Sequence, residues 1–351
     1  MFFFCLVSLC TAFQVQRIPS VGTPPSIRSH SYNSFVHENH IFVFGGGLLG
    51  ELHNDLWKFS LSQNYWERII YNTPEAPEPR EKHALFFLER KLYVYGGRTA
   101  NGLTGDMWEF DFEQKAWQKL YDTGETPSPR IRIAVTQSSY KAWIFGGYTE
   151  EGFTNELFEF SEGKWKQLEN LGTAPKARQN PQIAYWNNKL FVWGGIDEED
   201  YLDNELYYYD LSTSTWSKVA LDEKPIGRFL HGMVVREDYL YLIFGWNPEL
   251  GEDLGDIWKI HLPELSKWEF LVESEYARDG FAMGLKDDSV YMIFGYVVSD
   301  YSNEGLKLDL SSMSIQVISP HFLSPPPRKR HSLIRINSEL WLFGGQSSDS
   351  K

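Results

Sequence analysis

The chain has 351 residues, a formal net charge of -14 and a pI near 5.1, a balance that repels a phosphate backbone and sets nucleic acid aside as a partner. Its two cysteines, Cys5 and Cys10, both fall in the first ten residues, so the rest of the chain holds no disulfide and no thiolate metal site. Aromatic residues make up 16%, including 13 Trp and 24 Phe, and they are spread along the chain rather than gathered into an apolar span. That distribution calls for rings packed between many short strands and gives no membrane-crossing segment.

Phe2 to Ala12 is an apolar run that reads in two ways. With the small residues Cys10 and Ala12 near a cleavage point it could be a secretory leader, yet it is short and lacks a basic start. Alternatively, Phe13-Gln14-Val15-Gln16-Arg17-Ile18 aligns with Trp66-Glu67-Arg68-Ile69-Ile70, which makes residues 2–18 two strands of a repeated unit.

From residue 44 onward one pattern governs the sequence. An aromatic residue precedes a glycine pair at Gly45-Gly46, Gly96-Gly97, Gly146-Gly147, Gly194-Gly195 and Gly344-Gly345. Gly245 and Gly295 are single-glycine copies, in which Trp246 and Tyr296 stand at the second position. The first glycines are spaced by 51, 50, 48, 51, 50 and 49 residues, the mark of one structural unit used seven times.

The second copy shows the unit in chain order. Ala84 to Leu88 and Lys91 to Tyr95 are short apolar runs joined by a polar turn at Glu89-Arg90, which reads as a hairpin ending in Gly96-Gly97. A loop follows, then a third strand around Asp106-Met107-Trp108 and a fourth beginning at Trp117. The third-strand signature recurs as Asp55-Leu56-Trp57, Glu156-Leu157-Phe158, Glu205-Leu206-Tyr207 and Asp256-Ile257-Trp258. The fourth recurs through Trp66, Trp165, Trp216 and Trp268. Glycines that permit positive φ and rings that fill the space between sheets give these residues an architectural role. Four antiparallel strands per unit make a propeller blade.

A second sevenfold series is arginine: Arg28, Arg80, Arg130, Arg178, Arg228, Arg278 and Arg328, each opening a unit. Their guanidinium forks could hold carboxylate or phosphate groups, or each could pair with an acid of a neighbouring blade as part of the repeat architecture. His83, His231 and His331 follow an arginine by three and suit the core better than a shared metal. The loops after the glycines are acidic at Glu150-Glu151, at Asp197-Glu198-Glu199-Asp200 with Asp203, and at Glu249 with Glu252-Asp253, but none has the EF-hand spacing.

Together the Arg-x-x-His start, the glycine doublet and the spaced Asp-Leu-Trp and Trp signals resemble the kelch repeat over about residues 13 to 347. The resemblance implies an all-β, seven-bladed kelch-type β-propeller of one domain over 13–351, with residues 1–12 as an apolar N-terminal segment. It also implies a ring closed by pairing the two chain ends in the last blade, with the seven arginines around one channel mouth.

The same superfamily includes copper radical oxidases, whose cysteine–tyrosine crosslink has no counterpart beyond Cys10. The iron motif of plant specifier proteins is met by Glu252 and Asp256, but Ile260 stands where histidine is required and His261 is one residue late. On a strand a one-residue slip turns the side chain to the other face. No hydrolase or phosphate-loop motif occurs, so neither catalytic residues, metal nor cofactor are expected. The expected function is a monomeric, intracellular scaffold that binds a partner protein or peptide through the arginine-bearing face. The alternative is a secreted propeller that binds or modifies carbohydrate.

Overall fold

Alternating burial shows why these residues form sheets. In Ala84–Leu88 the side chains of Ala84, Phe86 and Leu88 are buried while Leu85 and Phe87 are half-buried, the period of a strand with one well-covered face. In the next strand, Lys91–Tyr95, the last four residues are all buried, because an interior strand is covered on both faces by neighbouring sheets.

The computed structural model describes residues 4–8, 14–18, 25, 26, 28, 34–37, 40–48, 50–60, 62–121, 124–297, 300–318, 327–329, 331–336, 339–343 and 345–347. Gly344 and Phe13 lie outside the described residues. Among those described, every regular element is a β-strand and none is a helix. The fold is an all-β β-propeller, built from four-stranded antiparallel sheets that the chain lays down in order.

The residues group into two compact units. The larger spans 72–77 and 82–275 and holds repeats two to five. Repeat two is Ala84–Leu88, Lys91–Tyr95, Met107–Asp111 and Ala116–Leu120; repeat three is Ala134–Gln137, Ala142–Phe145, Leu157–Ser161 and Lys164–Leu168. Repeat four is Gln182–Trp186, Lys189–Trp193, Tyr207–Asp210 and Thr215–Lys218; repeat five is Gly232–Arg236, Tyr239–Ile243, Asp256–His261 and Trp268–Glu273. Within this unit the first strand of repeat three lies beside those of repeats two and four, and that of four beside that of five.

Between sheets the core is aromatic. Trp165, from the fourth strand of repeat three, meets Tyr95 of repeat two edge-on at 5.2 Å, and Trp216 meets Phe145 in the same way at 5.4 Å. These two fourth-strand tryptophans therefore close the gap to the preceding sheet. The connecting segments add backbone straps: Gly124 and Gly172 form parallel bridges with Trp165 and Trp216. A Cβ on Gly172 would stand 2.2 Å from the Trp216 carbonyl oxygen, and its φ is +82°, so glycine is required twice over.

The smaller unit holds residues 1–71, 78–81 and 276–351. Repeat one is Ser34–His37, His40–Phe44, Leu56–Ser60 and Tyr65–Arg68; repeat six is Ala282–Lys286, Ser289–Val297, Asp300–Asp309 and Ser314–Ile318. A further four-stranded sheet combines both ends of the chain, in the order Gln14–Ile18, Phe4–Ser8, Glu339–Phe343 and Ser332–Ile336. Phe4–Ser8 pairs antiparallel on both sides, with Cys5 opposite Leu342 and Arg17.

The glycine doublets require a correction. In intact copies both glycines have positive φ, 61° and 91° at Gly45 and Gly46, and 66° and 109° at Gly146 and Gly147. In the single-glycine copies the left-handed pair is Phe244 (52°) with Gly245 (120°) and Phe294 (56°) with Gly295 (114°). The hydrogen bonds agree, since Phe244 N donates to Asp256 O as Gly45 N does to Asp55 O. Gly245 and Gly295 are thus second glycines, and the missing first glycine is replaced by phenylalanine rather than the second by Trp246 or Tyr296. In repeat six the strands run through this point, with a register shift between Ile293 and Gly295.

Candidate interaction face and its arginine supports

The opening arginines are buried: Arg80, Arg130 and Arg228 are 0% exposed, Arg28, Arg178 and Arg278 are 1%, and Arg328 is 8%. Each Nε donates to the carbonyl two residues earlier in the six cases from Arg28 to Arg278, at 2.9 to 3.1 Å. Nη1 donates to the first doublet position of the same repeat, as from Arg28 to Gly45 O at 3.1 Å and from Arg228 to Phe244 O at 3.2 Å. The remaining donors reach an acid just before or at the start of the third strand: Arg28 to Asp55, Arg130 to Glu156, Arg178 to Asp203 and Arg228 to Asp256. Such guanidinium groups brace each repeat from within and do not stand as open forks at a channel mouth.

The acid is held in turn. Two residues apart on a strand share a face, so the indoles of Trp57, Trp108 and Trp258 donate to Asp55, Asp106 and Asp256 at 2.6 to 2.7 Å. This explains why the Asp-Leu-Trp signature keeps its spacing. Burial opposes ionisation of Asp256, but the hydrogen bonds and charge of Arg228 and the Trp258 donor outweigh it and hold the carboxyl below its usual pKa.

Repeat four departs from the pattern: Glu205 occupies the expected register but pairs with Lys218 and Lys224, and Asp203, two residues earlier, takes Arg178. The Tyr207 hydroxyl donates to Asp203 at 3.0 Å in place of an indole.

The backbone joins consecutive repeats at the same place. The second glycine of one repeat donates to the carbonyl of the next repeat's opening arginine, from Gly46 to Arg80 at 2.9 Å, from Gly97 to Arg130 at 3.0 Å, from Gly147 to Arg178 at 2.9 Å and from Gly195 to Arg228 at 3.1 Å. Two residues past the arginine, Lys82, Arg132, Asn180, Leu230 and Gly280 all take positive φ between 52° and 57°. The sequence reading missed this left-handed position, because four different side chains occupy it beside one glycine.

Above these supports stand small hairpins after the doublets, such as Tyr148–Thr149 with Gly152–Phe153 and Trp246–Asn247 with Glu252–Asp253. The acidic loops divide between structure and surface. Asp197 and Asp203 are buried, and Glu198 accepts from Phe153 N at 2.6 Å, tying the repeat-four loop to the repeat-three hairpin. Glu150, Glu199, Asp200 and Glu249 remain exposed. Lys176 lies 3.7 Å from Asp197 and 3.8 Å from Glu199, with the exposed Tyr201 ring beneath it at 5.9 Å.

The histidines are core residues. His231 is buried against Trp193, ring to ring at 5.1 Å, and neither nitrogen has a hydrogen bond. Burial, with Arg228 nearby, pushes its pKa down to about 3. His331 Nε2 is 2.8 Å from Ile293 O, and its pKa is also lowered to about 3, first by burial. Asp256 is committed to Arg228, Ile260 is fully buried and His261 faces Glu264, so the incomplete specifier-like motif is dispersed.

Successive four-stranded sheets, each opened by a buried arginine, define a β-propeller assembled from one repeated unit. A profile of the KLHDC2/KLHL20/DRC7 Kelch-repeats domain matches residues 2–147 and again 132–345, and the chain belongs to the kelch-repeat family. Human leucine-zipper-like transcriptional regulator 1 is 28% identical over 159 residues, 42% of this chain and 19% of that protein. Human multiple epidermal growth factor-like domains protein 8 is 28% identical over 329 residues, 88% of this chain and 10% of its own length. The Rab9 effector protein with kelch motifs of Xenopus laevis is 31% identical over 90 residues, 25% of this chain and 24% of that protein. The chain therefore spans a quarter or less of each of these relatives.

Proposed function

We propose that the chain is a protein-interaction scaffold that binds a partner protein or peptide through the end carrying the doublet hairpins and the opening arginines. The observation that carries this reading is the division of labour at that end. Buried arginines and glycines spend their hydrogen bonds on the fold, while the segments they hold present Arg132, Tyr148, Lys176, Tyr201 and Leu250 to solvent in one unit. Rigidly supported loops with exposed aromatics, an arginine and surrounding acids suit a partner of mixed charge. The kelch motifs shared with a relative named as a Rab9 effector agree with a protein partner. In this reading the composite sheet of both chain ends counts as a seventh blade, and the working molecule is a monomer. We place it inside the cell, since both cysteines lie in the first ten residues and the repeats use no disulfide.

A photo-crosslinking residue at position 201 tests the face. It should trap a partner whose capture falls at least tenfold with Lys176→Glu and Arg132→Glu, while a crosslinker at the exposed Tyr121 traps none. Equal trapping at both positions would overturn the reading.

A further inference from the structure

At the end of repeats three and four opposite the doublets, where the turns between first and second and between third and fourth strands lie, the two sheets part to leave a cleft of about 360 Å³. One wall is a cross-strand row of repeat three. Thr136 pairs with Trp143, Trp143 with Glu159 and Glu159 with Lys166, which sets these side chains on one face of the sheet. The other wall comes from Tyr185, Tyr209 and the turn at Leu211 to Ser214 of repeat four. Trp143 and Tyr185 stack across the gap with centroids 5.1 Å apart and planes 11° apart, and the exposed Tyr140 stands at the rim.

The polar groups of this cleft divide into spent and unspent. Glu159 is engaged on both oxygens, by an ion pair with Lys141 at 2.7 Å and by the Trp143 indole N–H donating at 3.0 Å. Ser138 accepts from Lys141 N within its own turn, and Asn188 donates to Ser212 Oγ in the neighbouring turn at 2.8 Å. Lys166 makes no ion pair with the described residues, and the Tyr209 side chain, 1% exposed, keeps a buried hydroxyl without a well-formed hydrogen bond, the Ser214 side chain being its polar neighbour. In repeat two the equivalent row ends Tyr93, Glu109, Gln118, so the cation belongs to repeat three alone among these neighbours. A buried hydroxyl without a full partner is costly unless something completes it, and an unpaired ammonium lining the same cleft selects an anion.

We propose that this cleft binds a small anionic group, a carboxylate or phosphate, carried on an aromatic or apolar stem. Lys166 and the Tyr209 hydroxyl receive the anion, and the rings of Tyr140, Trp143 and Tyr185 cover the stem. Aromatic walls of this kind with a few convergent polar groups are the usual form of a small-ligand site, and the volume admits roughly one ring and its acid group. The site is separate from the proposed interaction face and does not depend on it.

Calorimetric titration of the full chain with phenyl phosphate, phenylacetate and benzyl alcohol tests it. One or both anions should bind, and which one does assigns the head group. Binding should fall at least tenfold in Lys166→Met, an exposed change, and in Tyr209→Phe, whose melting temperature without ligand should be no lower than that of the parent. Benzyl alcohol binding as well as the anions, no binding of either anion, or unchanged affinity in both variants would overturn the proposal.

Discussion

Residue by residue, the opening arginine is the hub of each repeat, and its identity is demanding. In repeat five Arg228 serves Ile226 O, Phe244 O and both oxygens of Asp256 from one planar group. A lysine ammonium cannot span those partners, and an unmatched buried Asp256 is left behind. Arg228→Lys should therefore cost about 3 kcal/mol or more in chemical denaturation; a loss below about 1 kcal/mol would contradict the bracing role. The histidines make stability depend on pH. His231 binds its proton only near pH 3 when folded but near 6.5 when unfolded, so the unfolded chain takes up more protons between these values. Stability is full above pH 6.5 and falls as the pH drops, by about 2 kcal/mol for each such histidine between pH 7 and 5. His231→Leu should flatten that loss by roughly half, leaving the part due to His331. The arginines and their burial partners were half-legible in the sequence. Their period was plain and pairing with an acid was one of two readings, but that acid was sought in a neighbouring blade, whereas the structure supplies it from the same repeat, and burial, which no spacing reports, decides for pairing. Asp203 was hidden because it sits two residues before the acid that register favours.

At the scale of the element, the doublet is a left-handed pair and not a glycine pair as such. Where Phe244 and Phe294 accept that conformation, the ring is fully buried and the repeat keeps its hydrogen bonds, so packing offsets a backbone cost of about 1 kcal/mol. A sequence signal for the correct register existed. From Arg80 onward the second glycine follows its arginine by 17 residues in every repeat, at 97, 147, 195, 245, 295 and 345. Counting from the arginine rather than from the first glycine would have placed Gly245 and Gly295 correctly. A glycine in the turn between Leu157–Ser161 and Lys164–Leu168 and a glycine in a strap between sheets give a clean comparison of two glycine effects. Gly163 has φ +76° with nothing within 4 Å of a Cβ, so Gly163→Ala should cost about 1 kcal/mol. Gly172→Ala adds a clash with the Trp216 carbonyl and should cost at least about 2 kcal/mol more, with exchange protection lost along Thr215–Lys218. Equal losses in thermal denaturation would show that the strap yields freely.

For the whole molecule, the repeat period carried the fold class, and alignment of residues 13–18 with 66–70 pointed to the composite sheet. Neither could show which end of a repeat is held by buried bonds and which is open. That distinction comes from the third dimension, where the same loop contributes a buried Asp197 and an exposed Asp200 three residues apart. Removal of residues 1–12 should strip Phe4–Ser8 from Glu339–Phe343 and bare a strand edge. The expected result is early protease cleavage within 332–343 and self-association in sedimentation, against an unchanged digestion pattern if that strand adds nothing.

The composite sheet also sets a timetable. Phe4–Ser8 and Gln14–Ile18 are made before the six contiguous repeats, yet the strand that Phe4–Ser8 must join, Glu339–Phe343, leaves the ribosome only after all six. Contiguous repeats can fold as they emerge, whereas this sheet waits with its earliest strands unmatched until Glu339–Phe343 has been made. A ribosome stalled before residue 339 would hold a molecule whose opening strands are still looking for their place, and a chaperone that recognises extended apolar segments would find its client there.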